Sequence, residues 1–209
     1  RTAKIINRKK MKTFADYSIV KKMRGSFLVL GPLISKFNMA KISMPGGCLI
    51  GARPINYHLA ALRKLGMNFT IKNGYIIAQS KGRLKGSLIK FAKVSVGATI
   101  NTILASCLAK GTTRIKLAAR EPEIYDLTQF LNKAGANIKW SGRTCTIEGV
   151  NSLSQTTYTV MSDRIEAGTF SVVATLTKGN LEIKNFNPKV IKTELELLKK
   201  AGARIKLGN

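Results

Sequence analysis

Acidic side chains are scarce in this sequence. Ten Asp and Glu stand against 36 Lys and Arg in 209 residues, a formal charge of +26, so the ligands to expect are anionic: nucleic acid, acidic lipid or phosphorylated metabolites. Basic runs such as Arg8-Lys9-Lys10 and Lys199-Lys200 are short, and lysines recur along every segment, which reads as a solvated basic surface and not as a dedicated nucleic-acid arm. Long apolar runs are also missing. The longest, Phe27 to Ile34, falls well short of the roughly 18 residues a membrane helix needs and is broken by Gly31 and Pro32, so no membrane insertion is expected. Three cysteines at 48, 107 and 145, with no C-x-x-C pair, argue against a disulfide framework and a zinc site and point to a reducing, cytoplasmic setting. An initiator Met and a charged-then-apolar leader are both absent, so Arg1 reads as the start of a truncated sequence.

What is present is a repeat. Leu62 to Phe69 reads LRKLGMNF, Leu131 to Ile138 reads LNKAGANI and Leu198 to Ile205 reads LKKAGARI, with glycines at 66, 135 and 202, which are 69 and 67 residues apart. KGTTRIK around Gly111 and KGNLEIK around Gly179 lie 68 apart, in agreement. Within one copy, Ile100, Ile103, Leu104 and Leu108 keep helical spacing, and Lys110-Gly111 is expected to close that helix. A strand follows at Thr113 to Leu117. Pro122 then opens a second helix with Ile124, Leu127, Phe130 and Leu131 on one face and Gly135 at its end. A hairpin closes the copy: Asn137 to Trp140 and Thr144 to Ile147 flank Ser141-Gly142, and the earlier copy turns on Asn73-Gly74, a dipeptide suited to a type I′ turn. With a further strand ahead of the first helix, such as Leu88 to Phe91, the unit is βαβαββ. One copy alone leaves faces unburied, so stacked copies round a helical core are expected. The first copy is expected to lack its opening strand and the last stops before its hairpin, so residues are expected to be missing at both ends. Phe14, Tyr17, Phe27 and Phe37 read as core residues at helical spacing, with no stacking platform for bases.

Residues 45–54 read PGGCLIGARP. Gly46 and Gly47 permit backbone conformations closed to other residues, Pro45 and Pro54 stiffen the ends, and the result is a loop that a ligand can approach closely. Cys48 in that loop should be exposed, with Arg53 near enough to favour its thiolate; the alternative, a small apolar filler, suits Cys107 on a helix face and Cys145 in a strand better.

PGGCLIGARP at 45–54, MRGS at 23–26, LGPL at 30–33, GRLKG at 82–86, KVSVGAT at 93–99, AAREPEI at 118–124 and DRIEAGTF at 163–170 resemble, in order, the motifs of the UDP-N-acetylglucosamine enolpyruvyl transferases. The sister 5-enolpyruvylshikimate-3-phosphate synthases share repeated units but lack the PGGC loop. The resemblance implies an α/β fold, the two-domain inside-out α/β barrel of six units, with ligands in the cleft between domains. It implies transfer of enolpyruvate from phosphoenolpyruvate to the 3′-hydroxyl of UDP-N-acetylglucosamine with release of phosphate, the first committed step of peptidoglycan synthesis, without metal or organic cofactor. Cys48 matches the cysteine that protonates the phosphoenolpyruvate methylene, can form a covalent adduct and is the fosfomycin target. Arg24 and Arg53 match positions that hold phosphate and carboxylate groups. Arg53, Pro54, Ile55, Asn56 and Tyr57 match the segment along the uridine nucleotide, as do Lys93, Ser95, Val96 and Gly97, where a helix N-terminus can receive phosphate. Asn56 is a departure, since the family commonly has aspartate there. His58, the only histidine, is expected in a structural role on the following helix, and Glu121 and Glu123 are expected to complement a helix dipole.

The family chain is about double this length. On the resemblance, a Lys-Asn pair ahead of this sequence, and an aspartate base and further arginines after it, are missing; the domains are 1–162 and 163–209, the second a stub with an exposed apolar face, and the chain alone is expected to be inactive. An inactive nucleotide-sugar-binding remnant and a basic nucleic-acid-binding protein on a related fold are the alternatives.

Overall fold

The computed structural model describes residues 2–6, 11–20, 23–45 and 54–208. The chain divides after Thr157 into two units.

The first unit holds two copies of one motif. Strands β1 (Phe14–Ala15), β2 (Met39–Ser43), β3 (Met67–Lys72) and β4 (Tyr75–Ser80) form a sheet in the order β1-β2-β4-β3; β5 (Leu88–Lys90), β6 (Thr112–Lys116), β7 (Asn137–Ser141) and β8 (Thr144–Glu148) form another in the order β5-β6-β8-β7. In each, the first two strands are parallel and the rest antiparallel. The parallel pairs need crossovers, and helices supply them: α2 (Leu30–Phe37) joins β1 to β2 after a short α1 (Tyr17–Val20) and a 3-10 turn (Arg24–Val29), and α4 (Val96–Ser106) joins β5 to β6. Helices α3 (Asn56–Lys64) and α5 (Pro122–Lys133) lead into the hairpins. The expected opening strand of the first copy is therefore present, two residues long, where sequence analysis expected none. It was hidden because two residues carry no alternation to read.

Alternation puts Ala40, Ile42, Met67, Ile76 and Ala78 of the first sheet, and Ile89, Ile115, Ile138, Cys145 and Ile147 of the second, on inward faces. They join Leu30, Ile34, Leu62 and Ile103 from the helices in one continuous core. Each of the Ile, Leu and Met side chains among them contributes about 1.5–3 kcal/mol by leaving water. Arg83, in the link between the two copies, ties that link to the second copy: its guanidinium donates to the carbonyls of Leu108, Ala109 and Val150 and to Asn151 Oδ1, so the arginine of GRLKG is a structural staple.

The turns follow the sequence chemistry closely. Asn73 and Gly74 both have positive φ, 50° and 73°, as a type I′ hairpin requires. Gly66 and Gly135 follow α3 and α5 at φ 102° and 99°, each ending its helix in a left-handed residue. Three expectations fail. Gly111, at φ 86°, does not cap α4, which ends at Ser106; the glycine instead turns the chain into β6. Phe14 and Tyr17 lie on a strand and a short helix with half their surface exposed, and only Phe27 is fully in the core, with Phe37 at its margin. On α5, Ile124 and Leu131 are buried with Thr128 between them, while Phe130 faces solvent.

The second unit contains α6 (Arg164–Leu176), a 3-10 turn (Pro188–Ile191) and α7 (Lys192–Lys200). Asp163 caps α6 by accepting from the N–H groups of Ile165 and Glu166, and Gly202 follows α7 at φ 97°, completing the glycine series. No strand occurs among its described residues: Leu181 to Lys184, the counterpart of β6 in the repeat, joins no ladder. Ala167 and Ile191 are its buried apolar residues, while Phe170, Val173 and Leu176 are exposed. Among the described residues, no helix is long and apolar enough to cross a membrane.

Candidate functional site

Sites on this fold are read from the helix starts. A helix begins with N–H groups that have no partner in the helix and carries a partial positive charge there. Helix α3 begins at Asn56 with Ile55 as its N-cap and no side-chain cap, so its first amides are left for another acceptor. Pro54 and Asn56 are exposed, and Ile55 and Tyr57 are half-buried, with the Tyr57 ring edge-on to Phe91 at 6.3 Å. Helix α4 begins at Val96 with Ser95 as N-cap, whose Oγ accepts from Ala98 N–H at 3.4 Å. The Ser95 hydroxyl is thus engaged in the cap, and the amides of Val96 and Gly97 are the ones left open. Lys93 is exposed just ahead of them.

These two starts are brought together by His58. Its ring is buried and lies so close to Gly97 that a Cβ there would stand 3.0 Å from Cε1 and Nε2, a tight contact that glycine relieves. The ring is edge-on to Phe27 at 5.1 Å and its Nδ1 is 3.2 Å from Asn101 Nδ2. The expected structural role of His58 is what the packing shows. Residues 54–57 and 93–97, far apart in sequence, therefore share one end of the α3–α4 pair.

Arg24 opens the 3-10 turn that carries Phe27, so its backbone belongs to the same neighbourhood; its side chain lies outside the described residues, as do Cys48 and Arg53 and all of 46–53. A cleft of about 430 Å³ lined by Tyr17, Ser43, Met44, Pro45, Asn73, Gly74 and Tyr75 lies where the chain enters that segment. The other two cysteines are buried. Cys107 ends α4 and Cys145 sits in β8; burial pushes both thiols up to about 12, and at Cys145 the neighbouring Cys107 adds to the effect. Glu123 lies in the first turn of α5 as expected, while Glu121 is its N-cap without a capping hydrogen bond. No cluster able to hold a metal ion occurs among the described residues.

The residue that sequence analysis missed is Asn101. It is fully buried in α4, accepts from Gly31 N–H at 2.7 Å through Oδ1, and through Nδ2 reaches Phe27 O at 3.4 Å and His58 Nδ1. A polar residue of low helix propensity inside an apolar helix was the available signal.

Residues 2–209 match the EPSP synthase family (3-phosphoshikimate 1-carboxyvinyltransferase). The chain is 56% identical, over 97% of its length and 49% of the relative's, to the UDP-N-acetylglucosamine 1-carboxyvinyltransferase of Pelagibacter ubique. It is 50% identical to that of Rickettsia prowazekii, covering 96% of this chain and 48% of the relative, and 48% identical to that of Coxiella burnetii, covering 93% and 45%. The chain thus spans about half the length of the curated relatives it matches. Among solved structures it resembles the enolpyruvyl transferase NikO from Streptomyces tendae, at TM-score 0.75 and 20% identity over 97% of this chain and 48% of that one. It also resembles EPSP synthase from Acinetobacter baumannii, at TM-score 0.62 and 24% identity over 88% and 42%. At those identities the structures establish the fold, an α/β fold of the enolpyruvyl transferase type.

Proposed function

We infer function from one premise: this chain belongs to the EPSP synthase family. We propose that its protein transfers enolpyruvate from phosphoenolpyruvate to the 3′-hydroxyl of UDP-N-acetylglucosamine, releasing phosphate, in the cytoplasm and in the service of peptidoglycan synthesis. The observation that carries the choice of acceptor is the 56% identity over 97% of this chain to a protein named for that transfer. The paired helix starts at Asn56 and Val96, each with open amides, agree with it, because a nucleotide diphosphate is the kind of anion such amides receive.

In this reading the amides of Val96 and Gly97 and the Lys93 ammonium take the diphosphate, and Pro54, Ile55, Asn56 and Tyr57 lie along the uridine. An Asn at 56 offers the uracil both a donor and an acceptor where a carboxylate offers acceptors alone. Arg24 and Arg53 hold the phosphate and carboxylate of phosphoenolpyruvate. Cys48 protonates the methylene carbon, and the sugar hydroxyl oxygen bonds to the adjacent carbon as its proton passes to the aspartate expected beyond this sequence; the adduct then loses a proton from the new methyl group and its C–O bond to phosphate, which restores the double bond. An alkylating inhibitor of the fosfomycin type would capture the same thiol. Residues 1–162 would form the domain bearing this loop and 163–209 the first part of a second domain.

Calorimetric titration of the chain tests the acceptor. UDP-N-acetylglucosamine should bind saturably and be displaced by UDP, and shikimate 3-phosphate should not bind. Saturable binding of shikimate 3-phosphate with none of the UDP-sugar, or phosphate release from phosphoenolpyruvate with shikimate 3-phosphate as acceptor, overturns the assignment.

A further inference from the structure

The Asn101 side chain is a fully buried polar group of the first unit, and each of its hydrogen bonds crosses between elements. Its partners are Gly31 in the first turn of α2, Phe27 in the 3-10 turn opened by Arg24, and His58 on α3, at sequence separations of 70, 74 and 43 residues. Gly31 N–H is one of the first-turn amides of α2 that the helix itself cannot satisfy, so α4 caps α2 through a side chain. That approach is close enough that a Cβ at Gly31 would collide with the Asn101 carbonyl and with Oδ1. The short bond from Gly31 N–H fixes which end of the amide is oxygen, since the reverse orientation would set two donors face to face at 2.7 Å. Nδ2 is therefore a donor toward His58, Nδ1 of the ring must accept, and the ring proton is on Nε2. Nε2, together with Cε1, lies against Gly97 at the start of α4.

We infer that Asn101 is a positioning residue: it holds His58 as the Nε2–H tautomer and thereby fixes the starts of α3 and α4, and the turn bearing Arg24, against one another where the nucleotide is received. The nucleotide part of this inference rests on the function proposed above. An apolar residue at 101 would take from Gly31 N–H its buried acceptor and from His58 Nδ1 the amide donor that sets its tautomer. Aspartate has the same shape and keeps an acceptor for Gly31 but has no donor for Nδ1.

Because His58 is the only histidine, protein labelled with ¹⁵N-histidine gives one imidazole pattern in two-bond ¹⁵N–¹H spectra. The native chain should show Nδ1 unprotonated and Nε2 protonated. Asn101→Asp should move the proton to Nδ1 or give the doubly protonated ring, and UDP-N-acetylglucosamine should bind it about tenfold more weakly or worse. Protonated Nδ1 in the native chain overturns the inference without any variant having to fold, as does a folded Asn101→Asp with an unchanged ring pattern. An altered ring with unchanged UDP-sugar affinity overturns the positioning role. Failure of the native chain to bind the UDP-sugar overturns instead the functional reading on which the nucleotide part rests, and the native spectrum still decides the tautomer.

Discussion

Cys107 is the C-cap of α4 and Cys145 sits in the middle of β8, both essentially without solvent contact, and a thiolate at either place would be cut off from water. Burial raises each from 9.0 to about 12. The unfolded chain therefore releases these protons first as pH rises. The stability that the neutral thiols contribute is complete below about 9 and is lost as pH climbs toward 12. Denaturant midpoints measured from pH 8 upward should fall, and a Cys107→Ala/Cys145→Ala variant should show a shallower fall; equal slopes would mean the thiols do not carry the effect. At pH 8 both should resist brief alkylation that they accept once denatured, while Cys48 should label fast, with Cys48→Ser abolishing the fast phase. Equal labelling of all three in the native chain would remove the chemical basis for assigning Cys48. At this scale the sequence was informative where chemistry depends on neighbours along the chain, as with the glycines and arginine round Cys48. It was silent on Asn101, whose partners are more than 40 residues away and meet only after packing.

Among the elements, two glycines with open space around them should respond in opposite directions to the same substitution. A Cβ added at Gly135 would touch nothing within 4 Å, yet φ there is 99°, a conformation that L residues rarely adopt, so Gly135→Ala should destabilise by about 1–2 kcal/mol through the backbone alone. Gly168 lies inside α6 with equally open surroundings and helical φ, so Gly168→Ala should leave stability unchanged or raise it, by up to about 1 kcal/mol. Thermal unfolding of the two variants checks this, and the same sign in both would show that space, not φ, decides. The same physics made the repeat legible: a helix that must stop in a left-handed residue writes glycine into the sequence, so Gly66, Gly135 and Gly202 align by spacing and neighbours alone. Gly111 misled because a positive φ is required by any tight turn and does not say which element it serves. Leu181 to Lys184 alternates as well as β6 does, yet a strand exists only through a partner, and that is not a property of the segment itself.

For the whole molecule, the two units differ in how much they bury. The first has a continuous core reaching from Val20 to Ile147 through both sheets and α2, α3 and α4. In the second, Ala167 and Ile191 are buried, whereas Ile165, Phe170, Val173, Leu176 and Leu197 are exposed and the charges include the exposed pairs Lys184–Glu182 and Lys192–Glu196. Exposed ion pairs of that kind contribute roughly 0–1 kcal/mol, and isolated helices of the length of α6 and α7 are marginal in water, so neither pairs nor propensity can replace the missing burial. Opening of α6 and α7 should cost far less than opening of α4 or β6. Hydrogen exchange read by mass spectrometry should show amides of 164–200 exchanging in seconds at neutral pH while those of 96–116 persist for hours. Raising salt should slow exchange in both units, because a net charge of +26 opposes compaction everywhere. It should leave the order of the two unchanged, since screening supplies no apolar contact. Protection of α6 and α7 equal to that of α4 would require burial that the described residues of the second unit do not provide.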